Sequence, residues 1–306
     1  MTNLRRSITH VGIAALALFA VGIGAPQAGQ LETPGAGIVD ADNGTLASVF
    51  DFPAISTADQ QQQNPLNGDS QSEAKRKLAV SGLQARLGKG DVENYDQLKA
   101  AYEQKFPNAP KQTSDCSPGE PCKSNSVNLT QVAQEVDWWC GPATAYMVID
   151  QLASDGRIDD TRSVNGSDLS QSTLAASDYT DADGGGGTYR DSMKKALNSW
   201  TGTNYYDVLS NPSPRDFKAA LTENIDRGQS FAVAALESAG GPHYNGHPYS
   251  MTVDHWVAAK GYDYHGKVTE FADPGTSIWS GASETFNYNT SEFVENFVQP
   301  EKAIVW

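Results

Sequence analysis

Cys140 stands in Gln134-Glu-Val-Asp-Trp-Trp-Cys140-Gly-Pro142, at the point where a helical pattern begins. Apolar residues at Ala143, Met147, Val148 and Leu152 give the stripe of a half-buried helix that stops at Asp155-Gly156. Pro142 fits the first turn, where no N–H is needed. A thiol at a helix N-terminus faces the positive end of the macrodipole and several unpaired N–H groups, which favours the thiolate, the form that attacks carbon. Acyl transfer by a thiolate needs three more groups: an imidazole to take and return a proton, a residue to orient that imidazole, and N–H donors for the oxyanion. His255, Asp273 and Gln134 are the residues suited to these roles, with the Cys140 backbone N–H as a second oxyanion donor.

Two strands must carry the imidazole and its partner. Residues 253 to 263 read as one and 267 to 273 as the next, joined at Tyr264-His265-Gly266. A three-residue loop with Gly last, in the left-handed conformation, pairs 263 with 267 and therefore 257 with 273. Asp273 then lies diagonal to His255 on one face, within side-chain reach. The competing histidines are less suitable: His10 is in the leader, His265 in the turn, and His243 and His247 in a Gly-rich loop. The last two have the spacing of a zinc pair, but the Gly, Pro and Asn around them forbid the helix such a motif requires, so they read as loop residues on the cleft rim. For Asp273, which precedes Pro274, the plainer role is capping a turn; for Gln134, an exposed loop position. Trp138, Trp139 and Trp256 read as core or cleft wall that excludes water from the nucleophile and its base.

Three cysteines in an exported chain leave one over after pairing. The Pro- and Gly-containing loop Cys116-Ser-Pro-Gly-Glu-Pro-Cys122 can close on itself, which predicts a disulfide there and leaves Cys140 free. Export is read from residues 1 to 28: a basic start at Arg5-Arg6, an apolar run from Val11 to Ile23, then small residues, as in a secretory signal peptide. That run is too short to anchor the chain stably in a membrane. A net charge of −15 argues against nucleic acid, which needs clustered Lys and Arg. No cofactor and no metal site is expected: the Asp181-Ala-Asp183-Gly184 run lacks the remaining ligands of a calcium loop and reads as a surface turn. Nothing in the sequence assigns an oligomeric state.

In order, residues 29 to 69 are poor in apolar side chains and are expected to be disordered. Residues 70 to 107 form a helical pair, capped by Ser70 with Glu73 and again by Asn94 with Gln97, too small to stand alone and so docked on the larger domain as an extension or an inhibitory pro-segment. Residues 108 to 126 are a linker holding the disulfide, and 127 to 306 the main domain. Within it, Met193, Leu197 and Trp200 mark one further helix, Ser213-Pro214 opens another that Gly228 ends, and residues 231 to 236 read as a buried strand.

Gln134, Trp139-Cys140-Gly141-Pro142-Ala143, His255-Trp256-Val257 with Lys260-Gly261-Tyr262-Asp263, and Asp273-Pro274 together resemble the papain-fold cysteine peptidases related to the bacteriocin-processing, double-glycine leader peptidases (family C thirty-nine), in their soluble, exported branch. The resemblance covers about Val127 to Trp306. It implies an α+β fold with the Cys helix packed on an antiparallel sheet that carries the His and Asp. It also implies Cys140 as nucleophile, His255 as general base and then acid, Asp273 as the residue orienting it, and Gln134 as an oxyanion donor. The substrate would be a peptide or protein. The chain departs from transporter-linked members: no transmembrane helix follows the leader and no phosphate-binding Gly loop is present, so the resemblance does not carry double-glycine leaders over as substrate. Two other readings fit the same residues, a cell-wall peptidoglycan amide hydrolase and a non-catalytic binding module that keeps the fold.

Overall fold

A computed structural model describes residues 64–88, 92–109, 116, 121–158, 161–202, 205–299 and 302–306. All belong to the compact unit Thr57–Trp306. The leader and residues 29 to 63 lie outside the described residues.

The described chain starts with a helical pair. Helix α1 (Gln71–Arg86) opens on a capping box in which Ser70 Oγ accepts from Glu73 N and Ser70 N donates to Glu73 Oε2, and it stops before Gly88, whose φ of +65° suits glycine. Helix α2 (Val92–Lys105) begins two residues before the expected Asn94. Leu78 of α1 packs with Tyr95, Leu98 and Tyr102 of α2. The expectation of disorder up to residue 69 fails for its last six residues: Leu66 is fully buried in the same cluster, and Lys105 Nζ donates to the Asp69 carbonyl at 2.6 Å.

The pair is held on the main domain by buried charge. Arg86 donates to Glu223 at 2.8 Å and to Asp226 at 2.9 Å, with both carboxylates fully buried, while Arg227 also bonds Glu223. A Cβ on Gly82 would fall 2.2 Å from the Glu223 carboxylate, so only glycine permits this approach. Removing either sign here would strand the other in a dry site, the arrangement in which a broken ion pair costs most. Among the described residues, none of the pair lines the cleft around Cys140. A 2-residue strand, β1 (Asn125–Ser126), follows the predicted disulfide, which joins Cys116 to Cys122 with Cα atoms 5.2 Å apart.

Helix α3 (Cys140–Ser154) comes next, then α4 (Gln171–Ala175), α5 (Arg190–Thr201), β2 (Val208–Ser210), α6 (Pro214–Asp226), β3 (Phe231–Glu237), β4 (Val253–Asp263), β5 (Val268–Ala272), β6 (Thr285–Asn289), α7 (Thr290–Phe293) and β7 (Ala303–Val305). The strands form one antiparallel sheet in the order β2-β7-β3-β4-β5-β6, with β1 paired to the end of β4 beyond the reach of β3. The molecule is α+β. Helix α3 is more than half buried: 11 of its 15 residues are enclosed, and Thr144 Oγ1 bonds the Trp256 carbonyl of β4 at 3.0 Å. Among the described residues no helix is long and apolar enough to cross a membrane.

The β4–β5 hairpin corrects the sequence reading. Asp263 pairs with Val268, not Lys267, so the loop has four residues, with Tyr264, His265 and Gly266 all at positive φ. The Lys123 carbonyl fixes this turn by accepting from His265 N at 2.8 Å. An even loop alone would turn Asp273 to the opposite face from His255. A bulge between Ala259 and Gly261 absorbs one residue, so Ala258 pairs with Ala272. The register near the site is therefore the expected one, reached by a different route. Gly261 is needed at the bulge because a Cβ there would lie 2.8 Å from Glu270 Oε2 and 2.9 Å from Ser126 Cβ, where β1 passes.

Candidate active site

Helix α3 begins at Cys140, and its N-cap, Trp139, makes no side-chain cap. In α1 and α6, by contrast, Ser70 and Ser213 occupy the first N–H groups through capping boxes. Leaving α3 uncapped keeps its first-turn donors available beside the sulfur. Gly141 permits a second close approach: a Cβ there would fall 2.0 Å from Thr188 Oγ1. The Gly185-to-Tyr189 segment thus lies across the helix start, held by Trp256 Nε1 donating to the Thr188 carbonyl at 2.9 Å. Cys140 is a free thiol at the floor of an open cleft of about 890 Å³, lined also by Trp138, Tyr189, Met251, His255 and Trp279.

His255, 2% exposed, sits on β4 opposite Ala235 of β3. Its Nε2 lies 2.8 Å from Asp273 Oδ1, and its interactions with Asp273 and Cys140 raise its basicity. Asp273 makes the contacts that both readings of it require. It caps the turn Pro274–Ser277 by accepting from Gly275 N at 2.7 Å, and with the same oxygen it holds His255. Its other oxygen accepts from Asn245 Nδ2 at 2.6 Å and lies 2.9 Å from His247 Nε2. Four donors therefore converge on one fully buried carboxylate, which is what an ionised, immobile group requires.

Gln134 is buried, not exposed, and its segment is tied to the turn after Asp273: Gln134 N donates to the Pro274 carbonyl at 2.9 Å, and Ser277 Oγ to the Gln134 carbonyl at 2.6 Å. Its Nε2 gives both hydrogens to backbone carbonyls, of Val136 at 2.9 Å and Asp137 at 2.8 Å. Its Oε1 is buried without a partner. In this state the side chain is near the site with its donors already engaged.

Sequence reading missed four contributors. His247 is not on the rim: it is buried with Nδ1 2.7 Å from Glu237 Oε2, and Asn245 and Trp279 close the site around it. Trp279 covers both imidazoles, its ring centroid 4.1 Å from that of His247 and 5.1 Å from that of His255. The readable signal was Glu237, a charge ending an otherwise apolar strand, because such a carboxylate needs a partner. His243 stays in the loop, bonding the carbonyls of Gly241 and Met251. Among the described residues, His247, His255 and Asp273 form the only group of three or more His, Cys, Asp or Glu with ligating atoms close enough to share an ion, within 4.8 Å of one another. The facing nitrogen of each imidazole already bonds the carboxylate, so the set is spent on itself.

Burial alone would push the His255 imidazolium down, but hydrogen bonds to Asp273 and Cys140 and the charges on both outweigh it and raise its pKa to about 10. Burial would likewise raise Asp273, yet hydrogen bonds from His247 and His255 and their positive charges hold its carboxyl well below the usual range. The His255 share of stability is complete below the unfolded imidazole value of about 6.5 and disappears as pH climbs through about 10. The Asp273 share is complete above about 3.9 and is lost in acid. Thermal midpoints should therefore hold a plateau between about pH 4 and 6.5 and fall toward pH 10, and His255→Gln should flatten the alkaline fall. A wild-type midpoint that climbs above about pH 6.5 would contradict this arrangement.

The family model described as Peptidase_C39 like family matches residues 126–303, more than half of the chain. No curated protein matches it.

Proposed function

Because the chain belongs to the Peptidase_C39 like family, whose name points to cysteine peptidases, we propose that it is an exported, papain-like cysteine peptidase acting through Cys140, His255 and Asp273. One observation carries this reading: a buried imidazole, held by Asp273 at 2.8 Å, shares one cleft with a free cysteine at an uncapped helix start, and both groups raise its basicity. With His255 raised to about 10, its imidazolium persists at neutral pH beside the sulfur. The thiolate of Cys140 adds to the substrate carbonyl, forming a C–S bond and an oxyanion. The Cys140 N–H stabilises that oxyanion, and Gln134 Nε2 joins it once one of its two carbonyl bonds is released. Protonated His255 gives its proton to the amide nitrogen, the C–N bond breaks and the amine leaves. Neutral His255 then takes a proton from water, which displaces sulfur as a carboxylic acid and restores the ion pair. Asp273 keeps the imidazole oriented throughout.

The test is a peptidyl vinyl sulfone applied to the purified chain, followed by peptide mapping. Modification at Cys140 with loss of hydrolysis of an unfolded protein substrate is expected. Full labelling without any hydrolysis to lose, across unfolded proteins and cell-wall stem peptides, would end the peptidase reading.

A further inference from the structure

His247 and Glu237 have no part in the reaction described above, yet both are buried and pointed at it. The His247 ring lies between two carboxylates, Nδ1 2.7 Å from Glu237 Oε2 and Nε2 2.9 Å from Asp273 Oδ2. Ionised carboxylates only accept, and a neutral imidazole carries one N–H, so both contacts are hydrogen bonds only if a proton sits between each pair of atoms. Asp273 is an implausible owner of that proton, since its two oxygens already face Gly275 N, Asn245 Nδ2 and His255 Nε2. Glu237 is held as an acceptor on its other oxygen by Tyr244 N at 2.7 Å.

We infer that His247 is a permanent imidazolium clamped by Glu237, and that this pair is a positioning device that fixes Asp273 and adds a second positive charge behind the Cys140–His255 pair. From the sulfur inward the groups then alternate in sign: Cys140, His255, Asp273, His247, Glu237. Alternation lets three anions be buried together, because each lies next to a cation. It also explains why one aspartate can hold two histidines, since the second brings its own counter-charge. The groups facing His247 are Glu237 from β3, His255 from β4 at 5.3 Å between ring centroids, Asp273 at the end of β5, and Tyr244 from its own loop. Tyr244 is pushed well above its usual value by burial and by Glu237 and Asp273, so it stays neutral. Burial would push His247 down, but its bonds to Asp273 and Glu237 raise it, in agreement with the geometry.

The consequence for reactivity rests on the peptidase reading; the charge state does not. Nitrogen-15 NMR of the full chain, labelled at its five histidines and assigned with His247→Gln, reads that state directly. Both His247 nitrogens are expected to be protonated at pH 7, and a neutral tautomer would overturn the inference. The second arm follows iodoacetamide alkylation of Cys140 against pH. His247→Gln should move the midpoint up by on the order of one pH unit, as loss of a buried positive charge requires. Glu237→Gln should also move it up, because the departing carboxylate releases the His247 proton. No shift in the first and a downward shift in the second would mean that His247 is neutral. If wild-type Cys140 reacts no faster than a thiol in the denatured chain, the peptidase reading falls, and the NMR arm still decides the charge of His247.

Discussion

Alanine at position 255 is expected to lower kcat/KM by about 10⁴-fold or more, the usual consequence of removing one member of a nucleophile–imidazole unit. Two losses combine. Without the imidazole, no base stands beside Cys140 to accept its proton during attack; once acylation starts, no acid protonates the leaving amine. The loss should fall on kcat, because His255 lies at the cleft floor while Trp138, Tyr189 and Met251 offer a substrate its contacts. The fold should persist, since β4 is paired along its length with β3 and with β5, and Trp279 can relax into the space. The measurement is steady-state hydrolysis beside circular dichroism, with Cys140→Ala as the floor. Activity within about tenfold of wild type, in a folded variant, would remove His255 from the chemistry.

The positions of Cys140, His255 and Asp273 were legible because each obeys a local rule. A small-residue helix start follows Trp139, and strand alternation decides which side chains share a face. The hairpin illustrates how far such rules reach. Gly266 was correctly read as left-handed, but the fourth loop residue depends on a hydrogen bond from His265 to Lys123, far away in sequence. The compensating bulge left one trace, a glycine inside a strand at position 261. His247 was lost because its loop was judged only for helical metal spacing, although Pro and Gly are no bar to burying an imidazole from a loop. The docking of α1 was expected, but its partners were not: Arg86 meets Glu223 and Asp226 from 137 and 140 residues away, and no local pattern encodes such a pair. The amide of Gln134 belongs to the same class, since what its Nε2 bonds depends on how the chain turns between Val136 and Asp137.

Asparagine at position 273 is expected to cost about 10³- to 10⁴-fold in kcat and to destabilise the fold as well, although it is the closest isostere. The reason is the number of donors that converge on the carboxylate. Oδ1 faces His255 Nε2 and Gly275 N, and Oδ2 faces Asn245 Nδ2 and His247 Nε2. An amide has one accepting end. If its oxygen keeps His255 and Gly275, its NH₂ confronts two further donors; if it turns, the turn cap and the orientation of His255 are lost together. Either way an unmatched pair of donors is buried, each costing about 1 to 3 kcal/mol. Activity and stability should therefore fall together, with the alkaline fall in thermal midpoint weakened because His255 loses the anion that raises it. Adding Asn245→Asp to Asp273→Asn returns a carboxylate to the NH₂ side and should recover stability more than kcat, since the anion is then on the wrong side of His255. Recovery of kcat to wild type by that second change would mean that Asp273 supplies negative charge to the neighbourhood without orienting the imidazole.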